Sequence, residues 1–168
     1  MVSSSTLLVT LWLSVASSTE PTVQQLADHK VSGTVIVAAP LERVQSVLSD
    51  PRYIAKIDDN GTVVTILGNK AACQSIRTTV DNPIASISYD AEVCPIAGGW
   101  RTRLVQSDDL QAFESTWKLS AAEDGKTTVQ YDVRTIPDIP VPQFVVDRAT
   151  RSSVHSMLVK LRKHLEDG

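Results

Sequence analysis

The side chains of this chain best suited to bind a metal, cross-link or move a proton are its two cysteines, Cys73 and Cys94, and its three histidines, His29, His155 and His164. The histidines are too scattered to form a metal set, and no cysteine or carboxylate joins them at ligand spacing, so neither a metal nor a cofactor is expected. His155, close to Ser152 on a helical stretch, offers a general base; the competing reading is an ordinary surface histidine. His29 is expected in a flexible entry segment and His164 in a solvated last helical turn. Serines are numerous, but no Gly-x-Ser-x-Gly elbow is present to activate one. Gly98 and Gly99 read as a turn between strands, with a hinge as the alternative and no phosphate cradle. What remains is a set of aromatic and hydroxyl side chains, whose chemistry depends on the elements that carry them.

Those elements are legible from periodicity. Val31 to Ala38 is rich in β-branched residues and reads as a strand that ends at Ala39 and Pro40. Pro40 suits a first helical turn and Glu42 its positive end, with Val44, Val47 and Leu48 on one apolar face. Asp50 and Pro51 then give a cap and a first-turn residue for a second short helix carrying Tyr53, Ile54 and Ile57. After a break at Asp58 to Gly61 the period changes to two and holds to Ile136, which predicts about six strands at hairpin spacing. Pro140 and Pro142 make an extended approach to a long helix starting near Pro142, amphipathic through Val154, Met157, Leu158, Leu161 and Leu165. Lys160, Arg162 and Lys163 suit its negative end.

Register follows from the turns, because a slip of one residue would turn every side chain to the wrong face. A turn at Asn82 and Pro83 pairs Val80 with Ile87, Thr78 with Tyr89, Ile76 with Ala91 and Arg77 with Asp90. The same register sets Cys73 opposite Cys94, within reach of a disulfide. A turn at Asp108 and Asp109 pairs Leu104 with Phe113, Thr102 with Ser115, Trp100 with Trp117 and Arg103 with Glu114. A turn near Asp124 and Gly125 pairs Trp117 with Tyr131 and Glu114 with Arg134, so that Arg103, Glu114 and Arg134 form an outer charge ladder. The inward set is Thr78, Tyr89, Trp100, Thr102, Phe113, Ser115, Trp117, Tyr131 and Val133. Above it the middle of the long helix carries small side chains, Ala149, Ser152, Ser153 and Ser156, continuing from Val145 and Val146. Small residues facing a sheet leave space. Aromatic walls with a few hydroxyls are the usual construction of a small-molecule pocket, the other outcome being an ordinary filled core.

The first residues hold an uncharged apolar stretch from Leu7 to Val15 followed by small residues, the length of a secretory signal and too short to span a bilayer. The expected organisation is a signal peptide over residues 1–16, a flexible segment over 17–30 and one domain over 31–168, secreted or periplasmic. Export would place Cys73 and Cys94 where a disulfide persists. With 42% apolar residues the chain can bury an ordinary core. A formal net charge of −3 with dispersed basic residues excludes a nucleic-acid partner, and no stable membrane insertion of the mature chain is expected. Asn60, Gly61 and Thr62 form a glycosylation sequon, relevant in a eukaryotic secretory pathway.

The run VSGTVIVAAPLERVQSVLSDPRYIAKI, Trp117 in the penultimate strand, Tyr131 in the last, the Ile139–Pro140 approach and the long terminal helix together resemble the START-like superfamily. That group holds polyketide cyclase/dehydrase, lipid-transport and coenzyme Q-binding domains. The resemblance spans roughly Val31 to Leu165 and implies an α+β helix-grip fold, in which about seven antiparallel strands grip the terminal helix over a hydrophobic cavity. It brings no catalytic motif to carry over residue by residue.

Three functions compete. The first is binding, with or without carriage, of a hydrophobic small molecule such as a lipid, an isoprenoid or quinone, or a polyketide. The second is a cyclase or dehydratase using Tyr89, Tyr131 or a buried arginine for proton transfer. The third is an interaction domain with its cavity filled. The absence of a catalytic constellation favours binding over an enzyme. The expected binding residues are Thr78, Tyr89, Trp100, Thr102, Phe113, Ser115, Trp117, Tyr131, Ala149 and Ser153.

Overall fold

A computed structural model of the chain describes residues 20–57, 61–81 and 86–168. The apolar leader, Asn60 of the sequon and the Asn82–Pro83 turn lie outside them. The elements run β1 (Thr22–Gln25), β2 (Lys30–Val37), α1 (Leu41–Leu48), α2 (Pro51–Ile57), β3 (Thr62–Lys70), β4 (Cys73–Asp81), β5 (Ser86–Ile96), β6 (Gly99–Gln106), β7 (Leu110–Ala121), β8 (Thr127–Pro137) and α3 (Gln143–Asp167). One antiparallel sheet holds the described strands in the order β1-β2-β8-β7-β6-β5-β4-β3.

The sheet has eight described strands where about seven were expected. The additional one is β1, in the segment expected to be flexible, where Thr22 to Gln25 pair with Thr34 to Val31 and cover the edge of β2. A run of four polar-leaning residues carries too little periodicity to announce a strand; the neighbouring strand supplies the hydrogen bonds that hold it. The turn from β1 to β2 is tight, with Asp28 and His29 at φ 56° and 60°. His29 is consequently fixed, its Nδ1 lying 2.9 Å from Asp147 Oδ2 on α3.

Helix starts follow the local chemistry. Pro40 precedes α1 in an extended conformation, and Val44 and Leu48 are buried. Asp50 caps α2 by accepting the Arg52 N–H at 3.0 Å while also holding its guanidinium. The Arg52 contact holds the Asp50 carboxyl below its ordinary range.

Register matches expectation through the central hairpins. Thr78 faces Tyr89, Arg77 faces Asp90, Trp100 faces Trp117, Thr102 faces Ser115 and Trp117 faces Tyr131. Arg77 holds both Asp90 oxygens, at 2.7 and 2.8 Å, and so lowers the pKa of that carboxyl. A disulfide joins Cys73 to Cys94 with Cα atoms 4.2 Å apart.

Two expected contacts differ. The β6–β7 ladder stops at Arg103 and Glu114, short of the Leu104–Phe113 pair. A bulge between Asp90 and Ala91 leaves Val105 without a partner on β5 and bends β6 away. The outer charge ladder also keeps its register but not its partners: Glu114 lies 3.6 Å from Arg101, and Arg134 donates to the Asp28 carbonyl at 2.9 Å. Strand register fixes where a long side chain starts, not where its charged tip ends.

The core lies at the β1-β2-β8-β7 end, where α3 crosses the sheet. Val31, Val35, Val37, Val129 and Val133 meet Val154, Leu158, Leu161 and Leu165 there. Gly33 permits the crossing, since a Cβ at that position would lie 2.6 Å from the Val154 side chain and 2.7 Å from that of Leu158. At the other end of the sheet the helix stands off, and the interior is open.

Candidate ligand cavity

Between α3, α2 and the concave face of the sheet lies a cavity of about 960 Å³. All ten residues expected at a binding site line it, together with Val133. Thr78 and Tyr89 come from β4 and β5, Trp100 and Thr102 from β6, Phe113, Ser115 and Trp117 from β7, and Tyr131 from β8. Ala149 and Ser153 form part of the roof. Of the other small residues on α3, Ser152 faces solvent and Ser156 does not reach the cavity. The row that does reach it continues through Thr150, Val154 and Met157.

Two pairs of rings shape the floor. Trp117 and Tyr131, cross-strand partners, have centroids 4.3 Å apart at 36°. Tyr89 and Phe113 meet at 4.7 Å although β6 lies between their strands, which measures how strongly the sheet is curled. Thr78 and Ser115 are each 4% exposed, and both line the cavity.

Charge is scarce at this site. Among the described lining residues only Asp81 is charged, and it is exposed at the rim. Among the described residues no histidine, lysine or arginine lines the cavity, and the inward titratable groups are the phenols Tyr89 and Tyr131. His155 is exposed on α3, away from the cavity. His164 packs edge-on against Tyr53 at 5.0 Å in a separate groove that Lys56, Lys160 and Lys163 also line. Burial raises the Tyr53 pKa, and its hydroxyl has no hydrogen-bond partner among the described residues. Lysines at the C-terminal ends of α2 and α3 are what the helix dipoles favour. Among the described residues no group of three or more His, Cys, Asp or Glu could hold a metal, and no helix is long and apolar enough to cross a membrane. Gly98 and Gly99 are held tightly: the Leu119 N–H donates to the Gly98 carbonyl at 2.8 Å, and Gly99 is buried against the Trp117 carbonyl.

The side of the cavity that the sequence did not announce comes from α2 and the far strands. Leu48, Pro51, Ile54 and Ala55 line it from the helices, and Val64, Ile76, Val80 and Ile87 from β3 to β5. Of the three α2 residues expected to pack, Tyr53, Ile54 and Ile57, only Ile54 turns to this cavity, while Tyr53 and Ile57 line the groove beside His164.

A terminal helix gripped by a curved antiparallel sheet, with a cavity between them, defines the START-like helix-grip fold. Solved structures with the same architecture include a START superfamily protein from Mycobacterium smegmatis, 22% identical with a TM-score of 0.71, the match covering 82% of this chain and 97% of that one. The Zhui aromatase/cyclase from Streptomyces sp. R1128 is 18% identical, TM-score 0.65, covering 82% and 95%. A STAR-related lipid transfer protein from Xanthomonas axonopodis is 15% identical, TM-score 0.66, covering 86% and 92%. At these identities the likeness establishes the fold. No protein-family model and no curated protein sequence matches the chain.

Proposed function

We propose that this protein binds, and is able to carry, a hydrophobic small molecule such as a lipid, an isoprenoid or quinone, or a polyketide, held between the sheet and α3. The observation that carries this reading is the open, aromatic-walled cavity itself, of a size that small-molecule sites have and fully buried cores do not. The cavity also argues against a ligand-free interaction domain. Fold likeness to a lipid transfer protein supports the reading at the level of architecture. Replacing Ala149 with Trp puts a large ring where the roof is thin. The A149W variant, folded by circular dichroism, should take up the neutral dye Nile red severalfold less than the parent, and undiminished uptake would remove the cavity from consideration. Native mass spectrometry of protein purified from its own source should show a bound mass of a few hundred daltons.

A cyclase-type reaction is the second reading, favoured by the likeness to an aromatase/cyclase and by the inward phenols of Tyr89 and Tyr131. Turnover of a model polyketone that Tyr89→Phe or Tyr131→Phe abolishes would establish it. The apolar stretch Leu7 to Val15 and the Cys73–Cys94 disulfide support a secreted or periplasmic setting, with residues 1–16 removed. Non-reducing peptide mapping of exported protein tests both: a free thiol at each position would take away the bond and weaken the case for export.

A further inference from the structure

We infer that the Cys73–Cys94 disulfide is a thiol–disulfide exchange site, opened by a dithiol reductant with Cys94 as the leaving thiolate beside Arg101. The bond lies on the outer face of the sheet, so the inference stands apart from the cavity and from the ligand reading. Opening it does not take the sheet apart. β4 and β5 pair without interruption from Gln74–Val93 to Asp81–Ser86, and the cysteines sit one position beyond the Gln74–Val93 pair. Backbone hydrogen bonds therefore hold the two strands whether or not the sulfurs are joined. Both cysteines are only partly buried and neither lines the cavity, so the bond is not sealed in the core.

Cations flank the bond on both sides. Register sets Lys70 opposite Cys73 and Arg101 opposite Cys94, so a row across four strands reads cation, cysteine, cysteine, cation. The nearest anions, Glu92 and Glu114, both stand opposite a third cation, Arg103, so positive charge remains in excess. Lys70 is exposed, and its charge is screened by water and salt. Arg101 differs. Its Nε is buried and has no hydrogen-bond partner among the described residues, the Glu114 carboxylate standing 3.6 Å away, too far for a hydrogen bond. A buried N–H donor without an acceptor is rare, and a redox or catalytic role is one of its explanations. When the disulfide opens, a thiolate forms at the cross-strand neighbour of this donor and supplies the missing acceptor. Partial exposure among cations is the setting in which reactive cysteines are found.

The dithiol alone balances the chemistry. Its thiolate attacks Cys73 Sγ, the S–S bond breaks, and the bonding pair leaves on Cys94 Sγ, where Arg101 stabilises it. A less basic thiolate leaves faster, which sets the direction of attack. The second thiol, as thiolate, then attacks the mixed disulfide at the reductant's sulfur and expels Cys73 as a thiolate, which takes up a proton. Two electrons pass from the dithiol, now a disulfide, to the cysteine pair. A disulfide oxidant closes the bond by the reverse path.

Dithiothreitol acting on the folded protein provides the test. Reduction, followed by mass, should run to completion in native buffer with the circular dichroism unchanged, at a rate insensitive to urea below the unfolding transition. Brief iodoacetamide labelling of the reduced protein at pH 7, read by peptide mapping, should then mark Cys94 about threefold faster than Cys73. That figure follows because a thiol one pH unit more acidic holds about tenfold more thiolate, while lower nucleophilicity takes back about threefold. Arg101→Gln should abolish the preference and move the pH profile of Cys94 labelling upward, whereas Arg101→Lys, which keeps the charge, should retain it. A merely structural role for Arg101 would leave that profile in place. If Arg101→Gln does not fold, the comparison of Cys94 with Cys73 in the parent protein still decides. Reduction that occurs only as the chain unfolds, equal labelling of the two cysteines, or a pH profile unchanged by Arg101→Gln would overturn the inference.

Discussion

From Val154 onward α3 places Val154, Met157, Leu158, Leu161 and Leu165 in the core, none more than 6% exposed, whereas from Gln143 to Ser153 the same helix has no buried side chain. Phe144, 73% exposed, and Val145 face solvent. What ties the first half down is polar: Gln143 Nε2 donates to the Thr135 carbonyl at 3.1 Å and to Asp147 at 2.8 Å, and His29 meets Asp147 at 2.9 Å. One continuous helix thus serves as core packing along its second half and as a cavity roof along its first. A roof over open space cannot be held by apolar burial, because the atoms it would pack against are not there. Regions with few buried apolar contacts are also those that open first.

The contrast is broken most directly by truncating each half. Leu161→Ala should cost about 2–5 kcal/mol of stability in urea unfolding, the usual range for a core leucine, and Phe144→Ala should change it by less than about 0.5 kcal/mol. Equal losses would mean that the two halves are not held differently.

The disulfide offers a control away from α3. Cys73 and Cys94 close a loop with a sequence separation of 21, and replacing both with Ser should lower global stability by roughly 3 kcal/mol in the chain-entropy account. The order of amide exchange within α3, first half faster than second, should survive that loss. A reversal would show that the bond sets the helix dynamics and the buried leucines do not.

The polar ties can be removed individually. His29→Ala breaks a half-exposed contact worth at most about 1 kcal/mol, so the melting temperature should barely move. Amide exchange over residues 144–153 should nevertheless rise while residues 157–165 stay protected. Uniform exchange along the helix in the parent protein would remove the distinction altogether.

Acid gives the smallest and most local effect. Burial works against the charged form of Asp147, but hydrogen bonds from Gln143 and His29, with the charges of His29 and Arg151, outweigh it and hold the carboxyl below its ordinary range. A lowered folded pKa stabilises fully above the unfolded value, about 3.9, and is lost as pH falls through the folded one. Exchange over residues 144–153, corrected for intrinsic rates, should therefore increase below about pH 4, and Asp147→Asn should flatten that dependence.

Much of the fold and most of the cavity floor were legible before any coordinates. Period two assigns alternate residues to one face, and a short turn fixes the register of the strands that it joins, so Thr78, Tyr89, Thr102, Ser115 and Trp117 could be placed on one surface from local information. The Cys73–Cys94 pair followed from the same register. The buried face of α3 was equally plain in the spacing of Val154, Leu158, Leu161 and Leu165.

Other features depend on contacts between residues distant in the chain. β1 is a strand because β2 offers it an edge; His29 is fixed because Asp147, far along the sequence, stands within 2.9 Å. The inward direction of Ile54 and Ala55, the meeting of Tyr89 with Phe113 across an intervening strand, and the exposure of Ser152 beside inward Ser153 all depend on the curl of the sheet and on where α3 crosses it. By itself the sequence determined which side chains share a face, since the backbone repeat sets that residue by residue. Only the tertiary structure decided how two faces meet and what space they leave, because curvature sums small twists and bulges over eight strands and no local pattern records the total.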